Sequence, residues 1–177
     1  MKKTVRIAFL LVAATFAASL VQAQTPAGTS PAAAPPPPPA RGPALAPALA
    51  AAQAAVEACL KIDQKVAVSV VDSAGVLKAV LAADGASARG VQSSANKALT
   101  ALAFGAPSGE LGERARTDAS LAERLAANPN FNTRAGAVLI RVGDEVIGAI
   151  GVGGARGSEK DEACALEGLK AAQPTLR

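Results

Sequence analysis

Nine of the chain's 12 prolines fall between residues 26 and 47, five of them in an unbroken run at 35–39. Proline has a fixed φ and no N–H, so such a stretch forms neither a hydrogen-bonded ladder nor a packed face. Residues 24–46 therefore read as an extended tether, and folding is confined to residues 47–177. A proline-rich stretch can also serve as a ligand for a proline-recognising module, but in an exported chain a spacer is the expected role. Residues 1–23 carry the marks of a secretory signal: Lys2, Lys3 and Arg6, an apolar run over 7–20, then Val21-Gln22-Ala23 before a cut at Gln24. The apolar run is short of the ~20 residues of a spanning helix. The expected product is periplasmic or secreted, with no stable membrane insertion after cleavage.

Cleavage removes three positive charges and no negative one, leaving 15 Lys and Arg against 14 Asp and Glu. A nearly neutral chain lacks the basic footprint of nucleic-acid binding, and one without Trp or Tyr lacks most stacking platforms, so no nucleic-acid partner is expected. The absence of His removes Ser-His-Asp and Cys-His catalysis and every imidazole metal ligand. No catalytic residue and no metal site is assigned.

Periodicity divides the folded part into nine elements. Leu49, Ala52, Val56, Cys59 and Leu60 form an apolar stripe on a helix over 48–62. Runs at 66–71 and 76–81 flank the turn Asp72-Ser73-Ala74-Gly75 as a hairpin. Asp84 to Ser87 break it and cap a helix over 89–104, with Val91, Ala95, Leu99 and Leu102 predicted inward. A short helix with Leu111 comes after Pro107, and Thr117 or Asp118 caps another with Leu121 and Leu125 inward. A second hairpin spans 137–142 and 145–152. Ser158 opens the last helix, with Asp161 at capping-box spacing. The order α-β-β-α-α-α-β-β-α points to α+β: an antiparallel sheet flanked by helices.

Cys59 and Cys164 are the only cysteines. Late in the first helix and early in the last, they meet as a disulfide if those helices pack antiparallel; otherwise they are two buried thiols. Gly148, Gly151, Gly153 and Gly154 crowd seven positions and match neither a dinucleotide fingerprint nor a P-loop. Strand, glycine loop and helix start, with Arg156 alongside, can hold a carboxylate or phosphate. The same string also serves tight packing of sheet on helix. Lys97, Thr100 and Phe104 share one side of their helix, where a Lys is ordinarily solvated but, if buried, can act as a Schiff-base or general-base residue. Asp72 and Asp84 both follow strands, as an acid–base pair or as turn residues bonding their own backbone. Glu110, Glu113, Arg114, Arg116, Glu123 and Arg124 read as a solvated face.

Taken together, Val70 to Gly75, Asp84-Gly85-Ala86, Lys97 to Ala101 with Phe104, Gly148 to Gly154, and Asp161-Glu162 resemble the GlcG/HbpS family over about 48–172. The resemblance implies a profilin-like domain with a sheet that is usually five-stranded, assembly into homo-oligomers, and in some members haem binding. The chain departs from the family pattern at Ala82-Ala83, at Gly153 in place of a serine, and at Ala135-Gly136 with no proline. Haem, if taken, is bound without His, Tyr or Met ligation, leaving only cysteine among the usual axial ligands. The expectation is an exported, non-enzymatic protein that binds a small molecule, haem or a related tetrapyrrole. On that reading Gly151, Gly153, Gly154 and Arg156 receive an anionic group, and Lys97, Thr100 and Phe104 flank an apolar groove. The alternatives are an enzyme or accessory factor for a small organic acid, using Lys97 and Asp84, and an oligomeric interaction protein with no small ligand.

Overall fold

The computed structural model describes residues 39–176; the signal segment and tether residues 24–38 lie outside the described residues. Its elements are α1 (Leu45–Leu60), β1 (Ala67–Asp72), β2 (Leu77–Ala82), α2 (Ala88–Phe104), α3 (Ser108–Arg114), α4 (Ala119–Ala126), β3 (Ala137–Val142), β4 (Glu145–Gly153) and α5 (Ser158–Ala172). A 3-10 turn at Gln173–Thr175 is the last regular element among the described residues. The class and order are those expected. The first helix starts at Leu45, ahead of the expected boundary, because Pro47 falls in its first turn, where the backbone N–H has no helical partner to lose.

The strands pair antiparallel in the order β2-β1-β4-β3. They make four strands among the described residues, where the resemblance implied five. Strand β1 is buried along its whole length, so its alternation serves two cores. Val68 and Val70 join Ala48, Ala52, Ala55, Ile150 and Val152 under α1 and α5. Val71 joins Ala98, Ala101 and Ala149 under α2 on the opposite face. A bulge between Ile140 and Arg141 marks the β3–β4 pairing near its turn. Leu111, Leu121 and Leu125 form a small third cluster with Phe104 and Phe131.

The helix faces differ from those read by periodicity. On α1 the buried residues are Pro47, Ala48, Ala51, Ala52, Ala55 and Cys59, while Leu49 is 41% and Leu60 47% exposed. Here α5 comes too close for leucine: a Cβ on Gly168 would strike Ala51 O and sit 2.8 Å from Ile150 Cδ1. Cys59 and Cys164 bridge the two helices as a disulfide, with Cα atoms 5.6 Å apart. On α2 the buried side carries Gly90, Ser94, Lys97, Ala98, Thr100 and Ala101. Val91 and Ala95 are half-buried and Leu99 is exposed, contrary to the predicted stripe.

Ser87 caps α2 by accepting from Gly90 N at 3.0 Å. Of the two candidates for α4, Asp118 is the cap, accepting from Leu121 N at 2.9 Å. At α5 the expected capping box is absent. Gly157, with φ +106°, precedes the helix without a side-chain cap, and Asp161 is turned into the fold.

Candidate ligand-binding site

The glycines of β4 set the site by setting the distance of α2. A Cβ on Gly151 would collide with Ser94 O and lie 2.8 Å from Ala98 N. One on Gly153 would lie 2.7 Å from Gly90 O and 2.8 Å from Ser94 N. Bare backbone on the strand and Gly90, Ser94 and Ala98 at four-residue spacing on the helix let the two surfaces touch. Ser69 and Ser94 then share a buried hydroxyl hydrogen bond of 2.7 Å across the contact.

This close approach carries Lys97 inside. The ordinary expectation of a solvated lysine is wrong here: the residue is 2% exposed. Its Nζ donates to Val152 O at 3.0 Å and to Asp161 Oδ2 at 2.7 Å. Asp161 Oδ1 accepts from Ala155 N at 2.9 Å, which ties the glycine loop to the pair. Gly136, at φ +137°, closes the back: a Cβ there would lie 2.6 Å from Lys97 Nζ and 2.9 Å from Asp161 Cβ. Burial pushes the Asp161 carboxyl above its usual value of 3.8, against the opposing pull of Lys97 and the Ala155 N–H.

Above the pair lies a cavity of about 260 Å³. Lys97 and Asp161 line it together with Ser87, Arg89, Gly90 and Ser93 from the start of α2. Arg134, Gly154, Ala155, Gly157 and Ser158 complete its wall. Arg89 and Arg134 are exposed, and both also border an adjoining cavity of about 230 Å³ with Asn96 and Asn132. Among the described residues the ion pairs are Arg41–Glu145, Lys97–Asp161, Glu110–Arg114 and Glu113–Arg116, so neither guanidinium is engaged in one. With the starts of α2 and α5 at its rim, the cavity suits a carboxylate or another small anionic group.

The residues singled out in sequence are not all gathered here. Lys97 and Gly154 border the cavity. Gly151 and Gly153 lie within β4 against α2, the packing alternative for the glycine string. Thr100 is buried a turn beyond Lys97, donating to Asn96 O and accepting from Asn132 N, and so positions the loop that carries Arg134. Phe104 packs edge-on against Phe131 at 5.3 Å between ring centres, with Arg124 over its face at 5.4 Å. It belongs to the third cluster. Arg156 lies on the other side of the glycine loop, bordering a separate cavity with Asp63, Gln64, Lys65 and Gly85. Its backbone N–H donates to Gln64 Oε1 at 2.8 Å.

The paired roles weighed for Asp72 and Asp84 also separate. Asp72 Oδ1 accepts from Ala74 N and Val76 N in its own turn. Asp84 is exposed beyond the far end of β2, roughly 20 Å away at ~3.3 Å per strand residue. Arg89, Arg134 and Asp161 were not assigned to the site from the sequence. Arg89 had a legible signal: it sits in the first turn of a helix with no acidic residue there, where the helix dipole disfavours a cation. Arg134 had none, because only the fold brings its loop to α2.

The usual donors to haem iron are missing from this site. The chain has no His or Tyr, its only methionine is Met1, and both cysteines are joined in the disulfide. The residues present fit an anionic substituent and do not fit an iron ligand.

A family model described as "Haem degrading protein HbpS-like" matches residues 44–170. Among solved structures, a Streptomyces reticuli HbpS double mutant is 34% identical, with a TM-score of 0.68 over 79% of this chain and 97% of its own. Klebsiella pneumoniae ORFY is 27% identical, with a TM-score of 0.68 over 73% of this chain and 90% of its own. A PduOC:heme complex, 22% identical, shares the fold, with a TM-score of 0.66 over 73% of this chain and 94% of its own. Comparison with curated proteins gives no match.

Proposed function

We propose a ligand-binding role for this chain, which belongs to the HbpS-like family. At the level of that family the ligand chemistry is haem-related. The narrower reading is of an exported, non-enzymatic protein that takes haem or a related tetrapyrrole by its carboxylates. The observation that carries it is the cavity above Lys97 and Asp161, with two guanidiniums at its rim, Arg89 and Arg134, that form no ion pair among the described residues. At about 260 Å³ it falls below the ~300–1,000 Å³ that encloses a drug-sized ligand, so it accommodates the charged end of a tetrapyrrole and not the whole ring.

Two further features support this reading. The Lys97 amine is held by Asp161 and Val152 O, an arrangement that favours a fixed charge over a nucleophile. The Cys59–Cys164 disulfide suits an oxidising compartment and thus export.

The test is a hemin titration of residues 24–177 in the Soret region, beside a hydrophobic control protein. A saturable, stoichiometric shift is expected. Arg89→Ala with Arg134→Ala should weaken it by roughly 10-fold or more, since each charge-assisted hydrogen bond is worth about 1.5–3 kcal/mol. Arg156→Ala, at a different cavity, should leave it unchanged. No shift beyond the control overturns the proposal.

A further inference from the structure

We infer that this site reads the carboxylates of its ligand and makes no bond to a metal, so that metal-free and iron-loaded tetrapyrroles bind alike. The inference rests on the haem-type reading and comes from which donors the fold has left free. Proteins hold haem iron through imidazole, thiolate, thioether or phenolate. This chain has no His or Tyr, and its one Met heads the segment expected to be removed. The fold uses up the remaining soft donor, because Cys59 and Cys164 are bonded to each other and buried between α1 and α5. Two donors near the cavity are also committed. Lys97 Nζ is occupied by Asp161 and Val152 O, and both oxygens of Asp161 accept hydrogen bonds. Among the described residues no cluster of three Cys, Asp or Glu side chains stands ready for a metal ion.

Of the charged groups lining the cavity, those outside an ion pair among the described residues are both cationic. Arg89 and Arg134 both border the 260 Å³ and the 230 Å³ cavities, so the two guanidiniums stand where two adjoining recesses meet. A guanidinium fork matches a carboxylate in two parallel hydrogen bonds. Arg89 sits in the first turn of α2, in the positive field of the helix end, and a bound carboxylate relieves that unfavourable placement. Two cations suit a ligand with two carboxylates on one edge, the chemistry of a propionate-bearing tetrapyrrole. Recognition therefore falls on a part of the ligand that does not change when the metal is present or absent.

The experiment compares hemin, metal-free protoporphyrin IX and protoporphyrin IX dimethyl ester on the mature chain, each followed by absorbance or porphyrin fluorescence and counted by ultrafiltration. Hemin and protoporphyrin IX should bind with affinities within a factor of roughly three, and the ester at least about 10-fold more weakly. Arg89→Ala with Arg134→Ala should weaken both acids and leave the ester as it was; both positions are exposed, so the fold is retained, as circular dichroism will show. Hemin binding tighter than the metal-free acid by roughly 10-fold or more overturns the inference, since an iron ligand is then at work. An ester that binds as well as the acid overturns it from the other side. If neither acid binds beyond the control, the haem-type reading itself fails.

Discussion

Two charges meeting at 2.7 Å with side chains 2% and 4% exposed are a liability unless their other hydrogen-bonding positions are filled. Val152 O and the Ala155 N–H fill them here. Lys97→Met deprives Asp161 of its cation and Val152 O of a donor, so a loss of about 3–5 kcal/mol is expected in urea denaturation. Asp161→Asn leaves the Lys97 ammonium buried without its anion, so a loss of the same order is expected near neutral pH. That same burial raises the Asp161 pKa from 3.8, so the folded chain holds this proton more tightly than the unfolded chain does. Its contribution to stability is fully present below 3.8 and is lost as pH rises through the raised value. Wild type should therefore gain on Asp161→Asn as pH falls from neutral toward acid. A gap that moves the other way would mean that the Lys97 attraction dominates.

At the scale of elements, small residues decide how the helices seat. Gly151→Ala puts a Cβ into Ser94 O and within 2.8 Å of Ala98 N, so α2 must back away from β4. Overpacking of this kind costs about 1–3 kcal/mol. Gly143, at φ +57° in the β3–β4 turn, faces open space, and Gly143→Ala meets only the left-handed backbone penalty of about 1 kcal/mol. Thermal melts that rank the two in reverse would show that α2 is free to move off the strand. The α1–α5 contact is stapled by Cys59–Cys164, 105 positions apart. Thiol counting on the denatured, unreduced protein should find none free, and Cys59→Ala with Cys164→Ala should lose about 2–5 kcal/mol. The hairpins were legible in sequence because alternation and turn residues are local. The inner faces of α1 and α2 were not, because periodicity points to leucine wherever the actual partner is a backbone that only Ala, Ser or Gly can approach.

Over the whole molecule, the leucines displaced from those interfaces remain at the surface. Leu45, Leu49 and Leu60 on α1 are 56%, 41% and 47% exposed, and Leu166 on α5 is 50%. Val76, Leu77, Val80 and Leu99 are exposed around β2 and α2. So many uncovered apolar side chains are expected to meet in a homo-oligomer. Light scattering of the mature chain should give a mass above that of one copy, and a monomer at working concentration would remove the idea.

The α+β class and the order of the elements come from the sequence alone. Periodicity, turn residues and missing donor groups act within a few positions of where they are written. So do the exclusions: a chain without His or Tyr lacks imidazole and phenolate ligands in any fold. The rest of the site was decided in three dimensions. Lys97 and Asp161 lie 64 positions apart, and Arg89 comes from α2 while Arg134 comes from the loop before β3. They converge because glycines on β4 draw α2 onto the sheet while α5 closes from the opposite face. Close approach depends on what both surfaces lack, and neither segment by itself records what the other has left out.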